Sequence, residues 1–128
     1  MSDKVEGWTE GRMKSFITST IRGGFRRFPN KYVVLKESQT GRKTNPSSGK
    51  LAMHHQCASC RGEFTSANIQ VDHISPIVDP KVGFTSWDDF IENLFCKVEN
   101  LQALCKSCHA IKTKEERAEA TIQRRKNA

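Results

Sequence analysis

The residues best suited to chemistry are cysteines, histidines and a carboxylate gathered in the second half of the chain. Five cysteines stand at positions 57, 60, 96, 105 and 108, and four of them form two Cys-x-x-Cys pairs, Cys57/Cys60 and Cys105/Cys108. A two-residue gap lets both sulfurs of a pair turn toward one ion, and two pairs supply the four thiolates of a tetrahedral zinc site. Zinc lowers the pKa of its thiols and binds them as thiolates. A redox Cys-x-x-Cys needs no second copy, and no βαβ unit accompanies it here. Disulfides conflict with a reducing compartment. Cys96, in the apolar run NLFCKV, reads as a small buried hydrophobe.

Between the pairs lies Asp72-His73, then Asn100, and His109 directly follows Cys108. A zinc clip would bring the segments flanking the two pairs together. Asp72 and His109 could then share a more open divalent site, with positions left for water and phosphate oxygens. His73 would sit beside it as a general base, since a neutral imidazole takes up a proton near pH 7. The Asn100 amide can hold a backbone carbonyl or orient the His73 ring. Such a set suits phosphodiester hydrolysis, which needs an activated water and compensation of charge in the transition state. Read singly, His73 could be a core histidine, His109 a spare zinc ligand, Asp72 a turn cap and Asn100 a turn residue. Their order inside the cysteine frame favours the catalytic reading. His54 and His55 adjoin a site that four cysteines already fill, and are expected beside the zinc ligands or facing DNA.

The elements that must position these groups are short. Ala67–His73 and Glu99–Leu104 read as strands. Ser86 caps a helix through residues 86–95, with Asp88 and Asp89 in its first turn. Lys106 to about Arg125 reads as a final helix with a basic end. Ile74–Thr85 reads as a loop. Upstream, Thr9 caps a helix in which Met13, Phe16, Ile17 and Ile21 recur at helical spacing, with Trp8 and Met13 placed for a hydrophobic staple. Gly23-Gly24 stops or bends it. Pro29 starts a second element, Lys31–Ser38, read as helix despite Val33-Val34. Residues 39–50, QTGRKTNPSSGK, are polar and read as a flexible linker. This gives a basic N-terminal helical segment over 1–38, the linker over 39–50 and a zinc-stabilised domain over 51–128. Trp8 and Trp87 read as packing residues.

A chain of 128 residues fits one domain with a modest core, and a structural metal offsets a thin apolar supply. Hydrophobic residues make up 36% and the mean hydropathy is -0.62. No apolar run is long enough for a membrane span, and the N-terminus lacks signal-peptide character, so a cytoplasmic location is expected. Net charge is +7. Residues 1–56 hold 11 Lys/Arg against 4 Asp/Glu and carry the whole excess, whereas residues 57–128 hold 10 of each. A basic arm of this kind points to nucleic acid, with Arg22, Arg26, Arg27 and Lys31 as candidate phosphate contacts and Lys112 and Lys114 as others near His109. Interleaved Phe25 and Phe28 are read as packing.

Cys57-x-x-Cys60, Val71-Asp72-His73-Ile74-x-Pro76, Glu99-Asn100-Leu101-Gln102-x-Leu104-Cys105-x-x-Cys108-His109 and Lys112-Thr113 together resemble the HNH endonuclease family. The resemblance covers roughly residues 55–115. It implies an α+β, ββα-metal core stapled by a four-cysteine zinc site, preceded here by a basic, mainly helical N-terminal segment. It further implies a metal-dependent DNA endonuclease with His73 as general base, Asp72 and His109 as ligands of a catalytic Mg²⁺, Mn²⁺ or other divalent ion, and Asn100 as the middle residue. Products would carry 5′-phosphate and 3′-hydroxyl ends. The N-terminal part is similar to that of small phage-encoded HNH proteins, which would place the chain in a host cytoplasm. The departure is a 26-residue connection between His73 and Asn100, longer than in compact members, which loop entropy tolerates. One metal per chain cuts one strand per event, so double-strand cleavage calls for a homodimer, a protein partner or a second binding event. The rival readings are a zinc-stapled nucleic-acid-binding module without chemistry and a partner-activated nuclease in phage DNA processing or packaging.

Overall fold

A threonine begins the first ordered helix. In the computed structural model, which describes residues 4–127, the Thr9 hydroxyl accepts the Arg12 N–H at 3.2 Å and starts α1 (Glu10–Gly23). Trp8 meets Phe16 edge-on at 5.6 Å, and Met13 is the buried residue of α1. A single 3-10 turn, Gly24–Arg27, redirects the chain into α2 (Pro29–Glu37), with Pro29 where a missing N–H costs nothing. Val33-Val34 sits inside this helix, and Val34 is its buried contact with the rest of the core. Residues 1–3 of the expected 1–38 segment and residue 128 of the expected 51–128 domain lie outside the described residues.

The expected linker over 39–50 is instead a hairpin. β1 (Gln39–Thr44) pairs antiparallel with β2 (Leu51–Gln56), which pairs with β3 (Glu63–Thr65) to make a three-stranded sheet. β1 is exposed along almost its whole length, so its stability comes from the backbone ladder and leaves no hydrophobic signature. The Gly, Ser and Pro content is that of the turn: Asn45 N–H donates to Lys50 O at 2.7 Å, the Asn45 side chain accepts from Ser47 N–H at 3.1 Å, and Gly49 takes a φ of 72°.

The second sheet has two antiparallel strands, β4 (Ile69–His73) and β5 (Leu101–Cys105), in a register that sets Asp72 opposite Gln102 and His73 opposite Leu101. Between them the long connection carries α3 (Trp87–Leu94), whose Ser86 cap accepts the Asp89 N–H at 3.1 Å. α4 (Lys106–Lys126) follows β5 without a loop. Strands are shorter than expected at their starts because 3-10 turns occupy Ser66–Asn68 and Val98–Asn100.

One core joins these parts. Val34 from α2, Ile69 from β4, and Leu101, Ala103 and Leu104 from β5 pack with Cys57 and Cys105, and Phe25 and Cys96 lie against them. The 3-10 turn and α2 of the N-terminal segment are thus built into the core that holds the cysteines. Phe90 and Leu94 of α3 are also buried, with the Phe84 ring tilted against Phe90 and the Trp87 ring edge-on to it. No described helix is long and apolar enough to cross a membrane.

Candidate active site

The four cysteines converge as their spacing predicts. Their sulfurs all lie within 4.8 Å of one another, with Cys60 Sγ and Cys105 Sγ 3.9 Å apart. Zinc–sulfur bonds of about 2.3 Å in a tetrahedron place sulfurs at about this separation. The cluster fits zinc. Its first half is a tight turn in which Cys57 N–H donates to Gly62 O at 2.9 Å, Arg61 takes a φ of 65°, and a Cβ on Gly62 would meet Phe64 at 2.9 Å. Glycine is the residue that lets the chain pass there. Its second half is a strand-to-helix junction, where the Cys105 sulfur caps α4 by accepting the Cys108 N–H at 3.4 Å.

The crowded thiols lack a compensating charge of their own. Burial pushes the Cys57 thiol up, but N–H groups of Cys105, Cys60 and Ser59 outweigh it and bring the group from 9.0 down to about 6. Cys108 goes the other way, to about 12, because its hydrogen bond to Cys105 and burial favour the thiol. A divalent cation resolves that conflict by stabilising all four sulfurs as thiolates.

Successive residues of a strand face opposite ways. Asp72 faces α4, and His73, at the strand end, faces Phe25 and α3. The His73 Nε2 lies 2.8 Å from the Leu94 carbonyl at the end of α3. A carbonyl only accepts, so Nε2 carries the proton and Nδ1 of the neutral ring is the basic nitrogen. The Phe25 ring lies against the imidazole, with centroids 4.9 Å apart. Asn100 makes no hydrogen bond to this ring among the described residues. Its Oδ1 accepts the Ser75 N–H at 2.9 Å, its Nδ2 donates to Ser75 O at 3.3 Å, and its own carbonyl accepts the Ile74 N–H at 2.8 Å. It pins the chain just after His73.

The two oxygens of Asp72 are divided. Oδ2 accepts from Gln102 Nε2 at 3.2 Å and from Lys112 Nζ at 3.1 Å. Oδ1 faces His109 Nε2 at 3.7 Å. Cys108 and His109 are neighbours on the first turns of α4, about 100° apart around its axis, so one serves the cysteine cluster and the other faces Asp72. An oxygen and an imidazole nitrogen at this separation fit a divalent ion with open positions. Lys112 also donates to the His73 carbonyl at 2.8 Å and to Glu116 one helical turn on. Burial pushes its ammonium pKa down, but Glu116 and Asp72 outweigh burial and raise it, so it stays charged.

Asp72, His73, His109 and Lys112 line one groove of about 650 Å³ between α4 and the loop at residues 76–83, with Arg22 of α1 also on its wall. Of the other expected phosphate contacts, Arg26, Arg27, Lys31 and Lys114 lie off this groove. Lys112 lines it but is engaged with Asp72 and Glu116. His54 and His55 are buried, which overturns the DNA-facing expectation. His55 Nδ1 lies 2.8 Å from Ser38 Oγ and Nε2 3.2 Å from Ser66 Oγ, so it ties α2 to the sheet. Glu116, Phe25 and the Leu94 carbonyl are parts of the site that no sequence motif singled out, and Gln102 stood in a motif without a role. The Lys112/Glu116 spacing of four on a helix was the legible signal among them.

The model of the HNH endonuclease family matches residues 57–115. The match takes in both cysteine pairs, Asp72, His73, Asn100, His109 and Lys112, and leaves Arg22, Phe25 and the later turns of α4 outside. No curated protein and no solved structure gives a match. A four-cysteine cluster able to bind zinc, set into a mixed helix-and-strand fold, accompanies this match, so residues 57–115 are similar to the HNH endonuclease family in both sequence and zinc-site arrangement.

Proposed function

We propose that the chain is a metal-dependent DNA endonuclease that hydrolyses phosphodiester bonds with His73 as general base. The observation that carries this reading is the placement of His73: its Nε2–H is committed to Leu94 O, and the residue lines the same groove as Asp72 and His109. His73 Nδ1 takes a proton from a water in the groove. The water oxygen forms a bond to phosphorus, the bond from phosphorus to the 3′ oxygen breaks, and solvent reprotonates the leaving oxygen. Asp72 Oδ1 and His109 Nε2 would hold a divalent ion such as Mg²⁺ or Mn²⁺, which when bound offsets negative charge on the phosphate and the leaving oxygen. Gln102 and Lys112 hold Asp72 Oδ2, and so keep Oδ1 turned toward His109. Asn100 acts through the backbone of Ser75 as a positioning residue.

The test is cleavage of supercoiled plasmid with Mg²⁺ or Mn²⁺ by the full chain and by His73→Ala. General-base removal costs about 10²–10⁴-fold in rate. The variant should lose cleavage on that scale while its zinc content and circular dichroism stay as in the parent. Undiminished cutting by the variant sinks the assignment. A parent chain that binds DNA, holds zinc and never cuts would support the non-catalytic binding module instead.

A further inference from the structure

α4 runs well beyond the part of the chain that matches the family. It has 21 residues, none of them buried, and it packs on β4 and β5. A helix without a buried residue gains little from packing, so its length calls for another reason. Its groove-facing positions recur every three or four residues from the candidate metal ligand onward: His109, Lys112, Glu116, Ala120, Gln123 and Asn127. They form one face, and the groove that begins at the candidate active site follows that face along the helix.

The charges on this face are not equivalent. Glu116 is paired with Lys112. Arg117 and Arg124 also line the groove, and neither makes an ion pair among the described residues. They stand seven residues apart on the same side of α4. At about 1.5 Å of rise per residue that is about 10 Å, and Arg124 lies about 22 Å beyond His109. One strand of duplex advances about 3.4 Å per nucleotide, so the two arginines span about three nucleotides and the whole track about six.

Resting on the nuclease reading, we propose that this groove binds the sugar–phosphate backbone on one side of the cut only, with Arg117 and Arg124 as its phosphate contacts. The guanidinium fork suits phosphate oxygens and carries no base information. The track therefore fixes how much nucleic acid must flank the cut, without setting its sequence.

Two measurements test this on the full chain. First, cut positions are mapped on linear DNA labelled at either end. Cuts should stop about six nucleotides short of one end of a strand and approach its other end closely, as the track length on α4 requires. Arg117→Ala/Arg124→Ala should shrink that excluded zone, whereas Arg125→Ala, on the same helix but off the groove, should keep it. Second, the salt dependence of duplex binding is measured in a His73→Ala background. The slope of log K against log salt should fall by about 2 in the double arginine variant, about 1 per lost contact. Equal approach to both ends, or an excluded zone or slope untouched by the double variant, overturns the inference. Absence of cleavage by the parent chain would instead sink the nuclease reading, and the salt slope would then decide the groove alone.

Discussion

At the scale of single residues, the site works by removing freedom from its reactive groups. The His73 ring has its Nε2 fixed by a carbonyl and one side against Phe25, and the chain after it is held by Asn100. Asn100→Ala should therefore weaken the site without emptying it. Two side-chain hydrogen bonds to an exposed turn are lost, at about 0.5–1.5 kcal/mol each. The expected outcome is a modest drop in thermal midpoint with a larger fall in kcat than change in KM. Asn100→Asp keeps the acceptor for Ser75 N–H and should fall between the two. An alanine variant with parental kcat would remove Asn100 from the site. Asp72, His73 and His109 could be singled out as candidates in the sequence because the chemistry proposed for them resides in the side-chain type. Leu94 was not, because its contribution is a backbone carbonyl that every residue possesses. Gln102 stood in a sequence motif, but its role became visible only through the register that sets it opposite Asp72.

At the scale of elements, the long connection between His73 and Asn100 brings the carbonyl of its helix to the proposed general base, His73. α3 is anchored by Phe90 and Leu94, both about 2% exposed, and its last residue presents the acceptor for His73. Leu94→Ala leaves that carbonyl in the chain but opens a cavity beneath it. A buried leucine cut to alanine costs about 2–5 kcal/mol. The variant should melt earlier and, at temperatures where it is folded, lose kcat more than it raises KM. A stability loss with kcat intact would make α3 a packing element only. This helix was readable from its Ser86 cap and first-turn acids, whereas its task was not, since nothing in sequence says which strand end a helix terminus meets. The hairpin at 39–56 escaped for the opposite reason. Its first strand is polar and exposed and held by main-chain bonds, so it carries the composition of a linker.

At the scale of the whole molecule, the cysteine cluster and the hydrophobic core are one structure. Ten apolar residues are buried among those described, and Cys57 and Cys105 are two of them. Helices from the N-terminal segment, both sheets and α4 meet around these sulfurs, so the ion that binds there is expected to hold the fold together. A structural zinc contributes about 10–16 kcal/mol of apparent binding free energy, against a net stability of about 5–15 kcal/mol for an ordinary domain. Its loss should therefore be comparable to the whole margin. Cys105→Ser, or stripping with a high-affinity zinc chelator, should abolish cooperative thermal unfolding and the near-ultraviolet dichroism of the tryptophans. Cys96→Ser, outside the cluster, should leave zinc content at one per chain. Withdrawing only Mg²⁺ or Mn²⁺ from the zinc-loaded chain should stop cleavage and leave the melting transition in place. A chain that still melts cooperatively after complete zinc removal would show that the hydrophobic core suffices alone, and that the cysteines do not clamp the site together.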